Sequence, residues 1–352
     1  MKKYIIPIFV PHMGCPFQCV FCDQLKISGA KRVPDIQDII ETHLKTINKK
    51  PGDGVTEVAF YGGSFTAIKR SEQEKLLSMV NPYLVSGLVD VIRISTRPDF
   101  INNSILSFLK YWGVSIIELG AQSLDDQVLK LSGRGHTVYS IYQASKLIKT
   151  HGLKLGIQLM PGLPGETMES MADTIRKTTE IKPSFVRIYP TIVIKDTPLH
   201  QMWGKGNFRP MTLLDSIEIC AKMYREFKDC SIDVIRMGLQ PSDDLAKHFV
   251  VAGPYHPAFG ELVLNKVAYQ IMLERLYDLA ESVGSVDFNV PIRQISIYMG
   301  QKRSNLALLQ RHYAQKISIS GDERLLLNQF RMDTSKISVL AFHKYFVKDT
   351  GF

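Results

Sequence analysis

Residues 12–24 read HMGCPFQCVFCDQ and contain three of the five cysteines of the chain. Cys15, Cys19 and Cys22 follow the spacing C-x3-C-x2-C. Several thiolates on one short loop can hold zinc or an iron–sulfur cluster. A structural zinc site needs four ligands, and the sequence has no second C-x2-C pair to complete one. We therefore predict an iron–sulfur cluster with one iron open to a small molecule. A zinc site and incidental buried cysteines are the alternatives.

Composition and length indicate a globular protein. The chain has 352 residues, of which 45% are hydrophobic and 22% charged, enough for one large domain or two ordinary ones. The apolar run at 4–10 is too short for a membrane span or a signal sequence. Five cysteines, three of them clustered, suit a reducing compartment. We therefore predict a cytoplasmic protein without a membrane segment. Its formal charge of +9 can attract polyanions.

The first two-thirds of the chain alternates β-branched runs with amphipathic stretches, a pattern typical of repeated βα units. Six units predict parallel strands that wrap into a partial (β/α)6 TIM-type barrel, and a doubly wound open sheet is the competing arrangement. Asp35, Ser71 and Thr137 are predicted to begin helices. The strands are predicted at 4–10, 57–61, 91–95, 116–119, 155–159 and 186–191, and the helices at 36–48, 71–80, 104–112, 138–150 and 168–180.

The pattern changes after residue 196. We predict a barrel domain at 1–241 and a small α+β C-terminal domain at 242–352. Helices are expected at 213–228, 266–283 and 305–313, and strands at 232–237, 286–298 and 316–319.

Basic and aromatic residues are mixed in the C-terminal third. Such a mixture can bind single-stranded RNA by phosphate pairing and base stacking, although a solvated charged face explains it equally well. The residues are Lys302, Arg303, Arg311, Arg324 and Arg331, with Tyr298, Tyr313 and Phe330.

Polar or glycine-rich turns follow the predicted strands of the barrel. They lie at 61–64, 95–99, 120–123 and 158–162, and the cysteine loop follows the first strand in the same way. In parallel α/β folds the active site lies at the carboxyl ends of the strands. The turns and the cysteine loop are therefore predicted to meet at one site.

Several motifs resemble the radical-SAM superfamily and, more closely, the radical-SAM region of the Elongator catalytic subunit family, which modifies tRNA uridine. Besides the cysteine loop and Gly62-Gly63, the resemblance rests on ELGAQS at 118–123, RGHT at 134–137, RMGLQ at 236–240 and GPYHPAF at 253–259. These blocks span about two-thirds of the chain. The acetyltransferase-like domain of that subunit is not expected here, so the resemblance does not extend to its carboxymethyl product.

The resemblance implies two cofactors. Cys15, Cys19 and Cys22 would ligate three irons of a [4Fe–4S] cluster, and S-adenosylmethionine (SAM) would bind the fourth and be cleaved to a 5′-deoxyadenosyl radical. The residues implied for the SAM site are Phe21, Gly62, Gly63, Ser95, Gln122, Arg134 and Gln158.

Three positions depart from the family pattern. Gly-Gly-Ser replaces the usual Gly-Gly-Glu, which leaves more of the binding of the SAM amine to backbone carbonyls. Ser95 and Gln158 stand where a relative has acidic residues.

We predict a radical-SAM enzyme that modifies a nucleotide in tRNA or rRNA, as a transferase or an oxidoreductase. It would need an external one-electron donor such as ferredoxin or flavodoxin. One alternative is the same chemistry on a small molecule or a protein side chain. Another is a non-catalytic cluster-binding RNA adaptor.

Overall fold

The computed structural model describes residues 2–10, 15, 17–23, 26–27, 34–47, 54–240, 245–277, 284–313, 316–334 and 337–346. The contacts divide the chain into two compact units. The first comprises Met1–Met211 and Pro241–Gly253, and the second comprises Thr212–Gln240 and Pro254–Phe352. The units thus interleave along the chain, and the assignment of domains to 1–241 and 242–352 stays a prediction.

Six strands of the first unit pair in parallel and in chain order. A doubly wound sheet would reverse its strand order near the middle, so the consecutive order confirms the predicted partial barrel. The strands are β1 (Lys3–Phe9), β2 (Val55–Tyr61), β3 (Val91–Thr96), β4 (Val114–Gln122), β5 (Lys154–Leu159) and β6 (Phe185–Ile188).

The two faces of this sheet differ in chemistry. Side chains alternate between the faces of a strand, and register places Ile6, Val58 and Ile92 in one row of fully buried apolar residues. Arg93 lies on the opposite face, which also carries Glu118. The polar face lies toward one interior, where a site can be built.

Helices of the first unit alternate with the strands. Asp35 and Thr137 cap their helices through side-chain oxygens, as predicted. Ser71 does not, because that helix begins one residue earlier and Lys69 at its N-cap position makes no side-chain cap. The helices are α1 (Ile36–Thr46), α2 (Arg70–Val85), α3 (Asn103–Tyr111), α4 (Asp126–Leu131), α5 (Val138–Thr150), α6 (Met168–Ile181) and α7 (Pro198–Gly204). A short antiparallel pair, β7 (Val193–Ile194) with β9 (Val250–Ala252), completes the unit's described strands.

The second unit is α+β, as predicted. Its sheet has the order β11–β10–β12–β13, in which only the β10–β11 pair is parallel. Phe288, Phe330 and Tyr298 are fully buried in its core. The elements are α8 (Leu213–Asp229), β8 (Asp233–Met237), α9 (Phe259–Tyr277), β10 (Ser285–Pro291), α10 (Ile295–Met299), α11 (Ser304–His312), β11 (Lys316–Asp322), β12 (Gln329–Thr334) and β13 (Ser338–Phe342).

Two expectations for this unit need comment. The strand predicted at 286–298 is too long, because β10 ends at Pro291 and the chain turns into short helices there. The helix predicted at 266–283 begins earlier, at Phe259, and residues 278–283 lie outside the described residues. Across the described parts of the chain, no helix is both long enough and apolar enough to cross a bilayer.

Candidate functional site

The cysteine loop leaves β1 beside the end of β2. The Val10 N–H donates to the Tyr61 carbonyl at 2.8 Å, so the loop starts at the level where β2 ends. Cys19 is 3% exposed, while Cys15 and Cys22 are half-buried. The cysteines of the chain form no disulfide. Residues 11–14 and 16 of the loop lie outside the described residues.

Residues 132–135, called the anchor segment below, pack directly on this loop. The Val20 N–H donates to the Ser132 carbonyl at 3.1 Å. A Cβ on Gly135 would lie 2.4 Å from the Phe17 ring, and Gly135 has φ +72°. Only glycine allows this approach and this backbone conformation without strain. The Arg-Gly-His-Thr block therefore forms part of the wall behind the cysteine loop.

Arg134 of the anchor segment links the loop to the sheet. It is 6% exposed, and its Nη1 donates to Cys19 Sγ at 3.2 Å. Its Nη2 donates to the Gly120 carbonyl near the end of β4. Neighbouring Arg97 is neutralised by Asp99 at 2.9 Å, whereas no carboxylate pairs with Arg134 among the described residues. Arg134 is thus a buried cation that contacts a predicted cluster ligand.

Gln122 and Gln158 meet at the ends of β4 and β5. Gln158 Nε2 donates to Gln122 Oε1 at 3.1 Å. Gln122 has φ +70°, which is rare for a residue other than glycine and is common at functional sites. A Cβ on Gly120 would lie 2.8 Å from Gln122 Nε2, so Gly120 makes room for the amide. The structure therefore brings two of the predicted SAM residues into contact.

Gly62 has a structural reason to be glycine. A Cβ there would lie 2.3 Å from the Val10 carbonyl oxygen, and φ is +107°. Gly62 thus permits the close approach of the ends of β1 and β2, whatever else its carbonyl binds. Gly63 follows it in a partly exposed bend.

Ser64, the departure from Gly-Gly-Glu, is buried and bonded to β3. Its Oγ lies 3.0 Å from Thr96 Oγ1 and accepts from the Arg97 N–H at 3.2 Å. The serine therefore ties the ends of β2 and β3 together, and a carboxylate here would be buried among these groups.

Three buried polar atoms near the ends of β3 and β4 have no hydrogen-bond partner within the described structure. They are Ser95 Oγ, Arg134 Nε and His136 Nδ1. Because buried polar groups are nearly always bonded, unpaired atoms at one place indicate a polar ligand. Donors of this kind and three thiols fit SAM and an iron–sulfur cluster. No three His, Cys, Asp or Glu side chains in the described ranges already form a metal cage. The fit therefore rests on donor type and on the unpaired atoms.

Phe21 lies among apolar side chains. It is 8% exposed and belongs to a buried cluster with Cys19, Val128, Leu163, Val193 and Leu199. These contacts explain why position 21 is apolar. Its predicted place beside the adenine of SAM stays a prediction.

His136 is a neutral buried imidazole. Burial, reinforced by the charges of Arg134 and Arg97, lowers the pKa of His136 to about 3. Its Nε2 lies 3.3 Å from the Ala121 carbonyl. At neutral pH it adds no charge to the site.

A buried ion network on the polar face of the sheet was not predicted from the sequence. Arg93 Nε lies 2.7 Å from Glu57 Oε1, and Arg187 Nη1 lies 2.9 Å from Glu118 Oε1. Arg93 Nη1 also lies 3.6 Å from Glu118 Oε2, which joins the two pairs. The network has two positive and two negative groups, so it can be buried without net charge.

Aromatic rings complete the network. Arg93 Nη2 donates to the Tyr61 hydroxyl at 2.5 Å, and the Arg187 guanidinium lies 5.0 Å from the ring centroids of Tyr61 and Tyr189. Burial raises the pKa values of Glu57 and Tyr61. Burial opposes the charge of Arg187, but the Glu118 carboxylate outweighs it and the pKa of Arg187 lies above its usual range. Only the alternation of strand side chains could have indicated this network.

The mixed basic and aromatic residues of the second unit do not form the expected stacking surface. Tyr298 and Phe330 are fully buried, so they cannot stack on a base. Arg324 and Arg331 both pair with Asp322, at 2.8 and 3.3 Å. These contacts make the group mainly structural.

The other singled-out residues also have local roles. Cys220 is fully buried and burial raises the pKa of its thiol, while Cys230 is exposed. His256 accepts from the Ala258 N–H at 3.1 Å, which shapes the turn before α9.

Comparisons with known proteins match most of the chain. The Radical SAM superfamily profile matches residues 9–178, and the Radical_SAM C-terminal domain profile matches residues 183–269. An uncharacterised protein of Methanocaldococcus jannaschii is 31% identical over 224 residues, which cover 60% of this chain and 67% of that protein.

Two matched relatives have named functions. The tRNA uridine(34) acetyltransferase of Methanocaldococcus jannaschii is 38% identical over 129 residues, 36% of this chain and 24% of that protein. Human Elongator complex protein 3 is 28% identical over 162 residues, 42% of this chain and 30% of that protein. The chain therefore spans about a quarter to a third of the length of these two relatives.

Among solved structures, the archaeal Methanocaldococcus infernus Elp3 matches with a TM-score of 0.59 and 23% identity. The match covers 78% of this chain and 63% of that one. At this identity the likeness supports the fold.

Proposed function

The chain belongs to the radical SAM superfamily, and we propose that it modifies a nucleotide in RNA, most specifically a uridine of tRNA. Membership confirms the resemblance drawn from the sequence, an enzyme as the class of protein, and a [4Fe–4S] cluster and SAM as its cofactors. The RNA target is proposed because the named relatives include tRNA-modifying enzymes.

The observation that carries the proposal is the contact of the cysteine loop with the anchor segment beside the ends of β4 and β5. Cys15, Cys19 and Cys22 would hold the cluster. Gly62, Gly63, Ser95, Gln122 and Gln158, with Phe21, would bind SAM, and Arg134 adjoins both groups. When bound, the reduced cluster supplies one electron to the SAM sulfonium and so releases a 5′-deoxyadenosyl radical.

The residues of this chain orient SAM and exclude water. Gln122 and Gln158 already hold each other, so their remaining amide atoms face a restricted set of partners. The buried ion network on the polar face closes that face with a charge-neutral set of side chains. The substrate would therefore approach from the strand ends. An external one-electron donor such as ferredoxin or flavodoxin, and a cytoplasmic location, belong to the same proposal.

The test is SAM cleavage by anaerobically reconstituted full-length protein. Reduced protein should release 5′-deoxyadenosine, and Cys19→Ala should release none. Cys230→Ala, which removes an exposed cysteine outside the loop, is the matched control and should behave as wild type. Absence of cleavage by wild-type protein that carries the cluster would contradict the enzyme and favour a non-catalytic adaptor.

The RNA target is tested separately. Nucleoside profiles of total tRNA and rRNA from cells with and without the gene should differ in one modified nucleoside. An unchanged profile would favour a small molecule or a protein side chain as substrate. The burial of Tyr298 and Phe330 is the observation that keeps this second candidate in view.

A further inference from the structure

Arg134 carries a buried positive charge whose nearest polar partners are a thiol sulfur and a backbone carbonyl. The residue is 6% exposed, and within the described chain no Asp or Glu pairs with it. Buried charges in proteins are normally paired, because removing an ion from water costs several kcal/mol. The counter-charge must therefore come from what the site binds.

Two anions could supply that charge: the SAM carboxylate or the cluster with its thiolates. The hydrogen bonds discriminate between them. Nη1 points to Cys19 Sγ at 3.2 Å, and Nη2 is occupied by the Gly120 carbonyl. The two atoms of the guanidinium fork that suit a carboxylate are thus both engaged, and Nε is buried.

The backbone around Arg134 is shaped for this contact. Gly133 and Gly135 have φ of +65° and +72°, and a Cβ on either would press on the cysteine loop. The Arg134 carbonyl accepts from Arg97 Nη2, and the Arg97 guanidinium lies 4.5 Å from the Phe17 ring centroid. Arg134 is therefore held from both sides against the loop that carries Cys19.

We propose that Arg134 is a positioning residue for the cluster: its guanidinium holds the Cys19 sulfur and makes the cluster easier to reduce. This inference rests on the proposed function, because it assumes that Cys19 ligates the cluster. Reduction adds one electron to the cluster, and the fixed positive charge and the N–H···S bond stabilise the added negative charge. The residue thereby connects Cys19 to Gly120, next to Gln122 of the proposed SAM site.

The test measures the cluster's reduction potential and SAM binding separately in reconstituted full-length protein. Electron paramagnetic resonance during a redox titration should give Arg134→Gln at least a tenfold lower ratio of reduced to oxidised cluster at a fixed potential. That ratio corresponds to about 59 mV for one electron. SAM affinity, from equilibrium dialysis against the oxidised cluster, should stay within about threefold of wild type.

Two further variants complete the design. Lys130→Gln removes one exposed positive charge near the anchor segment and should leave the potential unchanged. Arg134→Lys keeps the charge but cannot span both Cys19 Sγ and Gly120 O, so its potential should fall between those of wild type and Arg134→Gln. If Arg134→Gln does not fold, Arg134→Lys against Lys130→Gln carries the comparison.

The outcomes separate the possibilities. An unchanged potential in the Arg134 variants, with SAM affinity reduced tenfold or more, would overturn the inference and assign Arg134 to the SAM carboxylate. A wild-type protein that assembles no cluster would instead overturn the proposed function, and with it the premise of this inference.

Discussion

Gly135 is the residue at which the position of the cysteine loop depends most directly on an absent side chain. Its φ of +72° and the Phe17 ring, 2.4 Å from where a Cβ would be, are two separate requirements. Gly87 has almost the same φ, +73°, but no atom lies within 4 Å of its hypothetical Cβ. The two glycines therefore distinguish backbone strain from steric contact.

We expect Gly135→Ala to lower the free energy of unfolding by more than about 3 kcal/mol, because the left-handed conformation costs about 1–2 kcal/mol and the clash with Phe17 adds to it. Gly87→Ala should cost only the first part, about 1–2 kcal/mol. Urea denaturation followed by circular dichroism measures both. Equal losses in the two variants would show that Phe17 does not constrain Gly135.

At the scale of elements, the apolar face of the barrel sheet was predictable and its polar face was not. Runs such as VAFYGG at 58–63 predict a buried strand from their own composition. The pairing of Glu118 with Arg187 joins residues 69 positions apart and depends on strand order and register, which local patterns do not contain. The six-residue helix α4 was also not predicted, because it is too short to display a helical period.

The candidate site divides in the same way. Cys19, Gln122 and Arg134 were predicted from motifs, and the structure places them close to one another. The partner of Arg134 was not predictable, because the Cys19 contact requires the turn at 132–135 to fold back on the loop. Ser64 likewise read as a missing carboxylate, although it bonds to Thr96.

The ion network between strands leads to a prediction at this scale. Glu118→Gln should lower the free energy of unfolding by about 3–5 kcal/mol, because two buried arginines would then share one carboxylate. Glu180→Gln breaks the exposed Arg176–Glu180 pair on α6, 2.6 Å long, and should cost less than about 0.5 kcal/mol. Chemical denaturation of both variants at neutral pH gives the comparison. A loss below about 1 kcal/mol for Glu118→Gln would mean that the network is not buried as described.

At the scale of the whole molecule, His136 makes stability depend on pH. Its pKa in the folded protein is about 3, below the ordinary 6.5. Between these values the unfolded chain binds a proton that the folded protein does not, so stability falls as pH falls from about 6.5. The slope approaches about 1.4 kcal/mol per pH unit.

We expect His136→Gln to remove about 2 kcal/mol of the stability loss between pH 7 and pH 5. Urea denaturation of wild type and variant at pH 7, 6 and 5 measures the difference. His248→Gln, which changes an exposed histidine of the same unit, should keep the wild-type profile. Parallel profiles for wild type and His136→Gln would contradict the buried neutral imidazole.

The interleaving of the two units sets an order of events during synthesis on the ribosome. The first unit lacks Pro241–Gly253 until the second has already contributed Thr212–Gln240. Helix α8 and strand β8 therefore emerge before the later residues of their own unit exist. At roughly 5–20 residues per second, the nascent chain spends seconds with apolar surfaces of α8 uncovered. We expect this interval, rather than the finished protein, to be when the chain most needs a chaperone.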